Sequence, residues 1–127
     1  MSSEKVCHGG PTLVFSCSGA ADVGEITDLA ARKLTREGVG QMFCLAGVGG
    51  QVTPILDKTM AAKRTLAIDG CGLDCTKALL ENAGVKRVEQ LRLTDMGLTK
   101  GHCPASEANV EMVVTQARAM LNKEGVS

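Results

Sequence analysis

The sequence predicts an α/β fold, a three-layer Rossmann-like or flavodoxin-like sandwich with a small, mostly parallel sheet of about four strands. Short apolar runs alternate with helical segments four times along the chain, which is the pattern of βαβ units and a parallel sheet. The longest helical segments carry a single apolar stripe, and right-handed crossovers limit the possible strand orders. We favour the order 2-1-3-4, which places the first and third strands side by side.

The first strand–helix unit begins near the N-terminus. Residues 12–16 form a short apolar run typical of a buried strand. Residues 21–37 follow with the apolar spacing of a helix, and Gly38 is placed to end it. Asp22 and Glu25 resemble a capping box at the start of this helix.

The second unit has a strand at residues 41–45 and a helix that begins at Thr53 and Pro54 and continues to Lys63. Threonine suits the N-cap position, and proline is favoured at the first helical position. A flexible turn is predicted between the strand and the helix, at Gly47, Gly49 and Gly50.

Two further units complete the pattern. The third strand is predicted at residues 66–68, with a helix from about 71 to 83. The fourth strand covers 88–93 and alternates polar and apolar residues in its second half, as edge strands do. Ser106 is placed to cap the last helix, whose apolar stripe is Val110, Val113, Val114, Ala117 and Leu121.

Length and composition exclude several classes of protein. We expect residues 1–10 to be a flexible N-terminal segment and 11–127 to be a single α/β domain, because 127 residues with 44% hydrophobic content suit one ordinary core. Fourteen basic and fourteen acidic residues give zero formal charge, so no electrostatic argument favours nucleic acid or an anionic membrane as a partner. The two aromatic residues, Phe15 and Phe43, provide no platform for stacking bases.

The sequence predicts a cytoplasmic location. No apolar run approaches the roughly 20 residues of a membrane helix, and the N-terminus MSSEKVCHGG lacks the apolar segment of a signal peptide. In a reducing compartment, the six cysteines indicate metal or redox chemistry rather than a disulfide framework.

Three of the predicted strands end at a cysteine. Cys17 closes the first strand, Cys44 closes the second, and Cys71 follows the third, with Cys75 four residues later. Parallel strands would bring all four thiols to one edge of the sheet, where open α/β sheets bind ligands. Four thiolates are ligands preferred by zinc and, less often, by an iron–sulfur cluster. We therefore predict that Cys17, Cys44, Cys71 and Cys75 bind one Zn²⁺ ion.

The spacing of Cys71 and Cys75 is central to this prediction. On a helix, residues four apart share one face, about 5–6 Å apart at Cβ, and suitable rotamers would bring the sulfurs to the separation that tetrahedral zinc requires. Both would also lie in the first helical turn, where free N–H groups stabilise thiolate.

The same segments resemble a known family. The motifs CSG at 17–19, CLAGVGG at 44–50 and AIDGCGLDC at 67–75 are similar to those of the DGC-domain proteins, over roughly residues 13–98. The family takes its name from the tripeptide that is Asp69, Gly70 and Cys71 here. The resemblance implies a zinc site made by the same four cysteines and does not supply a biochemical activity. Similar proteins often carry further cysteines where this chain has Ala20 and Leu79, which makes a multinuclear cluster a poorer fit than a single zinc.

Alternatives to a permanent zinc site remain open. Cys71 and Cys75 would also suit a thiol redox or sulfur-transfer protein as a reactive pair, with Cys103 as a resolving thiol. A metal delivery or sensing module that works through a protein partner is a third reading. Four sulfurs favour a closed site, whereas catalytic zinc keeps an open position, so the sequence does not decide whether the chain is an enzyme.

Two known motifs are incomplete in this chain, and four residues have no assigned role. The position six residues after Cys17 is Val23 rather than the arginine of low-molecular-weight phosphatases, and Val52 breaks the glycine fingerprint of dinucleotide-binding proteins. His102 and Cys103 lie in a loop at the predicted ligand edge, where auxiliary ligation competes with an ordinary loop role. Cys7 and His8 precede the first strand, at the opposite edge.

Overall fold

Four parallel strands form the centre of the computed structural model, which describes residues 10–123. The strands lie in the order β2–β1–β3–β4 and are all parallel, which confirms the predicted fold class and strand order. Their bounds are β1 Thr12–Ser16, β2 Gln41–Met42, β3 Arg64–Asp69 and β4 Val88–Arg92. Cys7 and His8 lie outside the described residues, as do positions 1–9 of the expected flexible segment.

Five α-helices connect and flank these strands. They are α1 Asp22–Arg36, α2 Leu45–Gly49, α3 Thr53–Ala61, α4 Cys75–Asn82 and α5 Glu107–Asn122, and a short 3₁₀ helix at Leu93–Met96 follows β4. Ser106 caps α5 as predicted, because its Oγ accepts a hydrogen bond from the Asn109 N–H at 3.2 Å. Gly38, with φ of 75°, follows the end of α1, where glycine adopts the left-handed conformation most easily.

The sheet separates two apolar cores, which gives the three layers. On one face, Val14 and Ile68 pack with Ile26 of α1 and Val113 of α5, all fully buried. On the other face, Phe15 packs with residues of α2 and α4, including Val48 and Leu80, and meets Phe43 edge to face at a centroid distance of 6.1 Å. The alternation of side chains along each strand explains why neighbouring residues belong to different cores.

Several local predictions were wrong. The second strand ends at Met42 rather than at residue 45. The segment predicted as a glycine turn is the helix α2. Cys44 caps this helix, because its Sγ accepts a hydrogen bond from the Gly47 N–H at 3.3 Å. Gly47 is required for packing, since a Cβ there would lie 2.8 Å from Ile55 Cγ1. Asp22 is the first residue of α1 and does not form a capping box.

A further wrong boundary concerns α4, which begins at Cys75 rather than near Cys71. Residues 71–74 form a turn instead, because Asp74 adopts a left-handed conformation with φ of 55°. In residues 10–123, no helix combines the length and apolar character needed to cross a membrane.

Candidate cysteine site

The carboxyl edge of the sheet carries the four cysteines that the sequence singled out. Cys17 directly follows β1, and its N–H donates to the Ile68 carbonyl of β3 at 3.2 Å. Cys44 is the N-cap of α2, Cys71 follows β3 after one intervening residue, and Cys75 is the first residue of α4. All four are free cysteines, with Cys44 and Cys75 exposed and the other two half-buried. We name these four residues the cysteine edge.

The four thiols share an edge without forming an assembled metal site. In the part of the chain that the structure describes, no three histidine, cysteine, aspartate or glutamate side chains lie close enough together to hold one ion. Thiols are donors that suit a thiophilic metal. The side chains of the four cysteines, however, are not arranged as a coordination shell.

The loop after β1 is held by a small hydrogen-bond network around Cys17. Its Sγ lies 3.5 Å from Thr27 Oγ1, and the Ser18 N–H donates to the same oxygen at 3.1 Å. The Thr27 hydroxyl donates to the Gly24 carbonyl at 2.7 Å. Cys17 is thus held against α1 through Thr27.

Ser18, next to Cys17, has a left-handed backbone with φ of 52°. A non-glycine residue rarely adopts this conformation unless its surroundings hold it there. The side chain supplies that hold, because Ser18 Oγ donates to Asp28 Oδ1 at 2.8 Å and lies 2.6 Å from Ser16 Oγ. Constrained backbone of this kind concentrates at functional sites.

The turn between Cys71 and Cys75 is fixed from β4. Arg92 Nε donates to Asp74 Oδ1 at 2.8 Å, and Arg92 Nη2 donates to Oδ2 at 2.7 Å. Gln90 Nε2 donates to Asp74 Oδ1 at 2.8 Å, which is the third hydrogen bond to this carboxylate. These bonds from Arg92 and Gln90 hold the pKa of Asp74 below its ordinary value. Asp74 therefore remains a carboxylate clamped to β4, and Cys71 cannot share a helical face with Cys75.

Asp69 performs the capping that Asp74 does not. Its buried carboxylate accepts hydrogen bonds from the N–H groups of Thr76 at 2.8 Å and Lys77 at 3.1 Å, and from Gln90 Nε2 at 3.0 Å. The expected loop-bonding role of Asp69 agrees with these contacts. Two N–H groups of the first turn of α4 are therefore bound to Asp69 and are not free, as the sequence had predicted them to be.

The loop after β4 places its cysteine inside the protein. Cys103 is 4% exposed, and burial together with the charge of Asp22 raises the pKa of its thiol. Asp22 anchors this loop by accepting hydrogen bonds from the N–H groups of Gly101 at 2.9 Å and Cys103 at 3.0 Å. Burial keeps the Cys103 thiol from solvent, while His102 is exposed on the same loop.

Sequence reasoning missed Gln90 and Arg92 as residues of the site. The alternation of polar and apolar residues places both on the polar face of β4, and this alternation predicts only an edge strand. The signal was the parallel register, in which Asp69 is the partner of Arg92. This pairing brings the end of β4 beside the turn that carries Cys71 and Cys75.

Comparisons with known proteins identify relatives. A family model described as the DGC domain matches residues 13–117. The anaerobic and virulence modulator AnvM of Pseudomonas aeruginosa is 35% identical over 99 residues, which cover 76% of this chain and 76% of that protein. No solved structure matches.

Proposed function

The chain belongs to the DGC-domain family, and we propose that it binds a single Zn²⁺ ion through Cys17, Cys44, Cys71 and Cys75. The observation that carries the proposal is that four free cysteines follow three neighbouring strands at one edge of the sheet. Sulfur ligands in this number favour zinc over harder ions, which prefer oxygen. The proposal includes a reducing, cytoplasmic location, where such thiols stay available.

Zinc binding in this proposal requires the cysteine edge to rearrange, because its side chains do not form a coordination shell as described. Gly72, next to Cys71, has open space beside it, because a Cβ there would meet no atom within 4 Å. Cysteines bind zinc as thiolates, so binding also releases protons.

Metal titration of the reduced, full-length protein tests the proposal. The apo protein is titrated with Zn²⁺ against a chromogenic chelator, and with Co²⁺, whose thiolate charge-transfer absorption reports sulfur ligation. We expect about one ion per chain, with each of the variants C17S, C44S, C71S and C75S weakening binding by about tenfold or more. Cys103→Ala is the matched control, because it removes a cysteine outside the proposed site, and it should leave affinity unchanged.

Two results would count against the zinc proposal. One is the absence of zinc and cobalt binding by a protein whose thiols are reduced and whose spectrum shows it folded. The other is binding that Cys103→Ala weakens as strongly as the four serine variants do, since this would mean that the thiols act without selectivity.

A role in sensing or delivering zinc suits a site that is not assembled in advance. Rearrangement on binding costs free energy, which lowers affinity and favours exchange. The relative in Pseudomonas aeruginosa is named a modulator, and a regulatory role of this kind, exercised through an unidentified protein partner, is part of our proposal. Competition between this protein and chelators of graded affinity would separate an exchangeable ion from a permanent structural one.

Thiol redox chemistry is the second candidate, and the geometry of one segment favours it. Cys71 and Cys75 flank the left-handed residue Asp74, so the backbone between the two thiols is held in a defined turn. In this reading the two thiols reduce a disulfide substrate. A Cys71–Cys75 disulfide forms, the substrate S–S bond breaks, and the two thiol protons pass to the two substrate sulfurs.

Rates of cysteine alkylation distinguish the two candidates. If Cys71 serves redox chemistry, the metal-free and zinc-treated proteins should alkylate at similar rates, and mild oxidation should yield a Cys71–Cys75 disulfide. If zinc is the function, added zinc should slow alkylation of all four cysteines, and a chelator should restore it. Mass spectrometry of the labelled peptides measures both outcomes.

A further inference from the structure

A groove lined by basic residues lies at the amino edge of the sheet, opposite the cysteine edge. It runs between the end of α3 and the loop that joins α4 to β4, and it has a volume of about 410 Å³. Lys63, Arg64, Lys86 and Arg87 line it, and no acidic residue does. We name it the basic groove. The chain as a whole has zero formal charge, so this concentration of positive charge is local.

The strand register brings these cations together. Thr65 of β3 is the partner of Val88 of β4. Continuing the same parallel register towards the amino ends puts Arg64 beside Arg87, with Lys63 and Lys86 just before them. Like charges side by side on neighbouring strands are destabilising, and an anion bound in the groove would offset this repulsion.

Of the four basic residues, one pairs with a carboxylate of the described chain. Arg64 bonds Glu89 through Nε at 2.9 Å and Nη2 at 2.7 Å. Within residues 10–123, no carboxylate forms an ion pair with Lys63, Lys86 or Arg87. Helix dipoles do not account for Lys86 and Arg87, because α4 ends at Asn82 and the dipole acts within the last turn.

Part of the groove wall is apolar. Met60 and Val85 line it, and Met60 is 45% exposed. Gly84 has φ of 102°, a conformation that side-chain-bearing residues rarely adopt, and a Cβ there would lie 3.6 Å from Met60 Cε. A side chain at this point would contact Met60, so the glycine leaves the methionine uncovered.

From this arrangement we infer that the basic groove binds a small phosphorylated molecule, with its phosphate held by Lys63, Lys86 and Arg87 and its organic part against Met60. Three cations match a phosphate or pyrophosphate better than a single carboxylate. Arginine binds phosphate oxygens through two parallel N–H groups, and lysine acts as a point charge. The volume also lies within the range of about 300–1,000 Å³ that small-molecule sites occupy.

Titration of the full-length protein with inorganic pyrophosphate, followed by ¹H–¹⁵N spectra, tests this inference. We expect saturable shifts of the Gly84, Val85, Lys86 and Arg87 amides with a dissociation constant below about 1 mM, and citrate at the same ionic strength should bind about tenfold more weakly. Lys86→Ala and Arg87→Ala should each weaken pyrophosphate binding about tenfold. Arg87→Lys should lose less, because it keeps the charge.

The matched control is Lys100→Ala, which removes an exposed lysine from the loop at the opposite edge and should leave binding unchanged. Absence of saturable shifts would overturn the site, and citrate binding as tight as pyrophosphate would overturn the assignment to phosphate. Equal weakening by the Lys100 variant would show a general charge effect and would also overturn the inference. None of these results depends on metal binding at the cysteine edge.

Discussion

Arg92 donates hydrogen bonds to both carboxylate oxygens of Asp74, at 2.8 and 2.7 Å. Asp74 lies between the turn that begins at Cys71 and the helix that begins at Cys75. The bidentate geometry fixes orientation as well as distance. It holds Asp74 at φ of 55°, where a non-glycine residue would not otherwise stay. Arg92 thus acts on the relative placement of two thiols that it does not itself bind.

The first prediction concerns this clamp. Replacement of Arg92 by Met removes the bonds to Asp74, so we expect the turn to open more often and Cys71 and Cys75 to be alkylated several-fold faster. Arg92→Lys keeps the charge and part of the bonding and should lie between wild type and Arg92→Met. Iodoacetamide labelling with peptide mass spectrometry provides the rates.

Arg118→Met is the control for the clamp, because it removes an arginine that bonds Glu37 and Glu111 away from the cysteine edge. It should leave both alkylation rates unchanged. Wild-type rates in a folded Arg92→Met protein would show that the turn keeps its shape without Arg92.

The second prediction uses the two glycines that flank Cys71. A Cβ at Gly70 would lie 2.8 Å from Val23 Cγ2 in α1, whereas a Cβ at Gly72 would meet nothing within 4 Å. Gly70→Ala should therefore lower the free energy of unfolding by about 1–3 kcal/mol, and Gly72→Ala should change it by less than about 0.5 kcal/mol. Denaturant unfolding measures both. Equal losses for the two variants would mean that α1 does not pack as closely on Gly70 as described.

The third prediction concerns the effect of pH on the loop after β4. Hydrogen bonds from the Gly101 and Cys103 N–H groups lower the pKa of Asp22 below its ordinary value of 3.8. Because the pKa is lower in the folded protein, the anchoring is fully present above pH 3.8 and is lost as pH falls through the folded pKa. The amide signals of Gly101 and Cys103 should titrate together below pH 3.8.

Asp22→Asn is the control for this titration, since an amide does not ionise in this range. The variant should show no such shared transition at the two amides. A midpoint at or above 3.8 in the wild-type protein would contradict the anchoring role of Asp22.

The fourth prediction ranks the cysteines of the metal-free protein. Burial raises the pKa of the Cys103 thiol, and alkylation needs an accessible thiolate. Cys103 should therefore react more slowly than Cys44 and Cys75, which are exposed, and denaturant should remove the difference. Timed labelling at neutral pH gives the order. Early labelling of Cys103 in the folded protein would show that its loop opens readily.

Patterns along the chain were sufficient to predict the architecture. Alternating strands and helices implied the parallel sheet, and cysteines at strand ends placed Cys17, Cys44 and Cys71 at its carboxyl edge, because parallel strands end on one side. Local backbone conformation was not predictable in the same way. The left-handed turn at Asp74 depends on Arg92, which is distant in sequence and becomes adjacent only through the pairing of β3 with β4.

The roles of two aspartates also differ from the predicted ones, for the same reason. The sequence placed Asp22 at the cap of α1 and gave Asp69 only a general loop-bonding role. In the fold, Asp22 anchors the loop of Cys103, and Asp69 caps α4 from across a turn. Both outcomes are set by tertiary neighbours, which propensity and spacing do not contain.

X-ray absorption at the zinc edge, measured on the reduced full-length protein after zinc loading, tests the central claim most directly. The account predicts about one zinc per chain with four sulfur neighbours at about 2.3 Å, and fewer sulfur neighbours in Cys71→Ser. Zinc surrounded by oxygen and nitrogen alone, or a folded and reduced protein that retains no zinc, would contradict it.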